Sequence, residues 1–79
     1  MIKLTNIRLS ENQILCYAYV EDCNKPFELA LNISSKELAE YTLPAGYEWC
    51  GNHIRYARRY LISLIGITEL PTEKTIMWV

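Results

Sequence analysis

The hydrophobic period of this chain changes once, at Pro44-Ala45-Gly46. Before that break, apolar residues recur every second position over short runs; after it, they recur every three or four. A period of two belongs to a strand with one buried face, and a period near 3.6 belongs to a helix with an apolar stripe. The chain is therefore expected to be α+β: a three- to four-stranded antiparallel meander followed by one C-terminal helix packed on one face, with a possible short terminal strand.

The strand half is clearest at Phe27, Leu29, Leu31 and Ile33, which alternate with Glu28, Ala30 and Asn32. Pro26 stands just before, where a missing backbone donor does no harm to a ladder. From Gln13 to Glu21, Ile14, Cys16, Ala18 and Val20 share one face and Leu15, Tyr17 and Tyr19 the other. Both faces are thus partly apolar, as in a central strand or one covered by a partner. Ile2 and Leu4 have one parity, Ile7 and Leu9 the opposite one, so a bulge is expected near Thr5-Asn6. Ser10-Glu11-Asn12 supplies the next turn. The segment Ser34-Ser35-Lys36-Glu37 also fits a helix capping box, but a turn and a fourth strand over Leu38 to Leu43 is the favoured reading.

From about Tyr47 the stripe Tyr47, Cys50, Ile54, Ala57, Leu61, Leu64 and Ile65 predicts a helix of roughly four turns. Gly66 suits its end and Pro71 prevents its resumption. Gly51 blurs its start. Thr75-Ile76-Met77-Trp78-Val79 reads as extended and apolar, fit to join a sheet edge or to pack on a neighbouring chain.

A chain of 79 residues with 51% hydrophobic and 22% charged content has room for a single domain, 1–79. Domains this small bury only ~60% of the surface their unfolded chains expose, which favours partners that cover the rest. Eight basic and nine acidic side chains give a net charge of -1, so no global field draws the chain to nucleic acid or anionic lipid. Cys16, Cys23 and Cys50 are an odd, irregularly spaced set, read as reduced thiols. With no signal peptide in the opening residues and no span long enough for a bilayer, the expected location is cytoplasmic.

One surface stands out. On a helical wheel, Trp49, His53, Tyr56 and Tyr60 form a second stripe beside the buried one. Such rings can be the shoulder of the core, with polar tips in water. They can equally be a contact face, since Tyr, Trp and Arg concentrate at interface hot spots. Together with Tyr17 and Tyr19 they make the candidate interaction surface of a non-enzymatic module, with a second copy or another protein as partner. The alternative is weak nucleic-acid binding through Arg55, Arg58 and Arg59, where guanidiniums would hold phosphates beside stacking tyrosines.

Other chemistry is set aside on physical grounds. Cys50-x-x-His53 with Cys16 and Cys23 has the ligand count of a zinc site, but strand spacing places Cys16 and Cys23 roughly 20 Å apart. A Cys50 nucleophile near a helix N-terminus would have His53 one turn away, yet Cys50 belongs to the buried stripe and no third group orients the histidine. Gly46, Gly51 and Gly66 are too scattered for a phosphate loop, and no cofactor motif is present. Glu21-Asp22 reads as a solvated turn.

The opening Ile2-Lys3-Leu4-Thr5-Asn6, the closing Glu73-Lys74-Thr75-Ile76-Met77-Trp78 and the Asn52-His53-Ile54 to Arg58-Tyr60-Leu61 stretch resemble a family of short uncharacterised bacterial proteins. That resemblance implies no activity and carries over no functional residue.

Overall fold

Alternation, turns and the single period break fold into β1 (Ile2–Ser10), β2 (Gln13–Val20), β3 (Phe27–Asn32), α1 (Gly51–Ser63) and β4 (Lys74–Ile76). The computed structural model describes residues 1–78; the last position of the expected terminal strand lies outside them. The strands form one antiparallel sheet in the order β3-β2-β1-β4, with α1 across one face.

The parity change in the first strand is a bulge. Thr5 pairs with Tyr17 and Arg8 with Leu15, so Asn6 and Ile7 together oppose Cys16. Asn6 takes a φ of 52°, a conformation asparagine tolerates better than most residues. The extra residue turns Ile7 inward beside Ile2 and Leu4. Leu9, in contrast, is 61% exposed although its cross-strand partner Ile14 is buried: β4 pairs only with Ile2 to Leu4, so at Leu9 β1 is the edge of the sheet.

Ile14, Cys16, Ala18 and Val20 from β2 and Leu29 and Leu31 from β3 complete the sheet side of the core. Cys50, Ile54, Ala57, Leu61 and Leu64 close it from the helix side. Each fully buried aliphatic contributes about 1.5–3 kcal/mol relative to exposure. The helix begins at Gly51 rather than Tyr47, since residues 48–50 form a turn in which the Cys50 amide donates to the Tyr47 carbonyl. It unwinds through short-range bonds from Leu64 to Leu61 and from Ile65 to Ile62, ending at Gly66 with a φ of 86°.

The fourth strand expected over Leu38 to Leu43 does not form. Leu38 makes a lone bridge with Leu31, in which the Asn32 amide donates to the Glu37 carbonyl and the Ala39 amide to the Ala30 carbonyl. Ala39 through Thr42 are exposed, with too few inward side chains to hold a ladder. A turn forms, as expected, though at residues 33–35 rather than over all of Ser34 to Glu37. Asn32 Oδ1 accepts from the Ser35 amide, and the Lys36 amide returns to the Asn32 carbonyl. The fourth strand is instead the terminal one, where Ile2, Lys3 and Leu4 of β1 pair with Ile76, Thr75 and Lys74. No described helix is long and apolar enough to cross a membrane.

Candidate functional site

Of the expected stripe, His53, Tyr56 and Tyr60 lie on α1, on a flank that Trp78 reaches, whereas Trp49 sits in the turn before the helix, so the four rings do not form a uniform open face. After β4, Trp78 folds onto that flank. The Trp78 ring stacks on Tyr56 with centroids 4.3 Å apart and planes 14° from parallel, and it meets His53 edge-on at 4.7 Å. Trp49 also meets His53 edge-on, at 5.5 Å, and its indole N–H donates to the Gly46 carbonyl at 3.1 Å. Trp49 is still 64% exposed, whereas His53 is 5% exposed. Tyr60 sits apart from this cluster, with the Lys74 ammonium 5.7 Å from its ring and burial raising its hydroxyl pKa.

A buried imidazole needs polar partners. His53 Nε2 lies 2.6 Å from Glu21 Oε1, and the same oxygen accepts from the Met1 ammonium at 2.9 Å. The Met1 ammonium, and then His53, hold the Glu21 carboxyl below its ordinary value. An ionised carboxylate only accepts, so Nε2 carries the proton of this bond. Nδ1 has no partner among the described residues. The Glu21-Asp22 turn is thus more than solvated: Glu21 ties the N-terminus to the helix, and Asp22 accepts from the Tyr47 hydroxyl at 2.7 Å. That bond pushes the Tyr47 hydroxyl up to about 12. The sequence hides these links because they join residues 20 to 32 positions apart. The pairing of Ile2 with Val20 is what sets Glu21 beside Met1.

The arginines divide. Arg58 turns toward the loop before the helix, donating from Nε to the Lys36 carbonyl at 2.9 Å. Arg55 and Arg59 flank Tyr56; the Arg59 guanidinium stands 5.7 Å from that ring, and Arg55 is 3.5 Å from Asn52 Oδ1. Neither pairs with a carboxylate among the described residues.

Tyr17 and Tyr19 lie on the opposite side of the molecule, on the sheet face turned away from α1. Cross-strand pairing sets Tyr19 beside Lys3, Tyr17 between Thr5 and Glu28, and Leu15 between Arg8 and Ala30. Arg8 reaches to 5.8 Å from the Tyr17 ring. These tyrosines and Leu15 are half-buried by their neighbours in the sheet, and no described element packs over them. The helix flank and the tyrosine face are therefore two separate surfaces.

The thiols hold no shared site. Cys16 and Cys50 are fully buried; burial pushes Cys16 up to about 12 and raises Cys50 as well. Cys23 is half-buried and donates to the Lys25 carbonyl at 3.6 Å. Among the described residues no three His, Cys, Asp or Glu side chains gather around a point that one metal ion could occupy.

Comparison with protein-family models, with curated proteins and with solved structures finds no match to the chain, and so nothing bearing on the resemblance to short bacterial proteins.

Proposed function

We propose that this protein is a small non-enzymatic interaction module that pairs with a second copy of itself through the sheet face carrying Leu15, Tyr17, Tyr19 and Ala30. The observation behind this reading is the two-sided character of β2, whose second face is lined by a leucine and two tyrosines with no layer over it. An apolar ladder of that kind gains by being covered, and tyrosines suit a covered face because each brings a large rigid ring with a polar tip.

The charges on this face favour a second copy over an unrelated partner. Lys3 and Arg8 lie along β1 on one side of the ladder, and Glu28 lies on β3 on the other. A two-fold axis parallel to β2 would set β1 of one copy over β3 of the other. Glu28, level with Tyr17, would then fall between the levels of the opposing Lys3 and Arg8, twice over. The three free thiols fit a reducing, cytoplasmic setting for such a pair.

Analytical ultracentrifugation at micromolar concentration tests this. A species of twice 9.2 kDa that Tyr17→Glu converts to the monomer is expected. A wild-type protein that sediments as a monomer throughout removes the proposal.

A further inference from the structure

A shallow cup of about 200 Å³ opens between α1 and the C-terminal segment, lined by Asn52, Arg55, Tyr56, Arg59 and Trp78. A second cup of about 220 Å³, lined by Arg55, Arg58, Arg59 and Ile62, adjoins it and shares two of the arginines. We propose that these two cups form a track for a short stretch of single-stranded nucleic acid, with Arg55 and Arg59 on successive phosphates and one base stacked against the Trp78–Tyr56 pair.

Three features carry this reading. The net charge of the chain is -1, but α1 holds three of its four arginines and no acidic residue, so this helix is locally positive. Arg55 and Arg59 are one turn apart, about 6 Å along the axis, and each keeps its donors free of carboxylates among the described residues. Tyr56 and Trp78 bring aromatic surface to the same cup, and the stack that joins them fixes the tryptophan beside the guanidiniums.

The chemistry selects the ligand class. Guanidiniums hold phosphates, and an indole or phenol ring stacks on any base regardless of sequence. Cups this small fall below the roughly 300–1,000 Å³ of sites that enclose a whole small ligand, so each takes a piece of something longer. Duplex DNA keeps its base faces inside the stack, which leaves an unpaired strand as the partner that uses both the arginines and the rings.

Fluorescence anisotropy of a labelled oligothymidylate of about 12 nucleotides, titrated at several salt concentrations, tests the track. Two phosphate contacts predict a log–log salt slope of about -1.4, lost in Arg55→Gln/Arg59→Gln. Trp78→Ala should weaken binding roughly ten-fold or more, while Trp78→Phe, which keeps a ring in place, should retain most of it. Circular dichroism confirms that each variant is folded, and the loss of the salt slope in Arg55→Gln/Arg59→Gln decides if Trp78→Ala is not. Absence of binding by the wild type, equal affinity for the matching duplex, competition by AMP as strong as by the oligomer, or unchanged binding by a folded Trp78→Ala would each overturn the proposal.

Discussion

Glu21 Oε1 stands 2.6 Å from His53 Nε2 and 2.9 Å from the Met1 ammonium, so one carboxylate oxygen joins the end of β2, the start of β1 and the first half of α1. The folded carboxyl titrates below its ordinary value of 4.5. A depressed carboxylate stabilises the fold above the unfolded value, and that contribution is lost as pH falls from 4.5 through the lower folded value. Wild type should therefore melt above Glu21→Gln at neutral pH, with the gap closing as the buffer is taken below 4.5. A gap that stays constant across that range in calorimetry would show that the ionised carboxylate is not what joins these elements.

Trp78 covers both His53 and one face of Tyr56. Its replacement by alanine should cost roughly 1–3 kcal/mol in urea unfolding, combining lost apolar burial with the stacked pair. Trp49→Ala should cost far less, since that ring is mostly in solvent. Equal losses in the two variants would contradict the packing described.

The thiols should modify in a fixed order. Cys23 is accessible, whereas Cys16 and Cys50 are enclosed and their thiolates disfavoured by burial. Mass spectrometry of the native protein after brief iodoacetamide treatment should find the label on Cys23 alone, and on all three after denaturation. Rapid native labelling of Cys50 would reopen the thiol-nucleophile reading.

Removing Asn6 should be tolerated. Without it Thr5, Ile7 and Arg8 would oppose Tyr17, Cys16 and Leu15 in unbroken register, and a residue at positive φ would be gone. The deletion variant should melt at or above the wild-type temperature, while Leu61→Ala, which empties a fully buried position, should lose about 2–5 kcal/mol. An unfolded deletion variant would mean that the bulge itself is required.

Why some of this was legible in the sequence and some was not follows from range. The bulge, the two faces of β2, the buried face of α1 and the stop at Gly66 are local patterns of parity and period, and the structure repeats them. Leu38 misled because one inward leucine beside β3 looks like the start of a strand, while whether a ladder continues depends on how many neighbours follow it inward. His53 misled in the other direction. Its place on the wheel marks a flank, but its burial depends on Trp78 and Glu21, which are distant in sequence and adjacent only once β1 has gathered β2 and β4 on its two edges.

That arrangement of β1 also orders events during synthesis. Its outer edge waits for residues 74–76, so throughout translation of everything between, the backbone of Ile2 to Leu4 has a free hydrogen-bonding rim beside an apolar surface. A nascent chain in that condition is open to mispairing with its neighbours on a polysome until its own tail emerges to seal the seam.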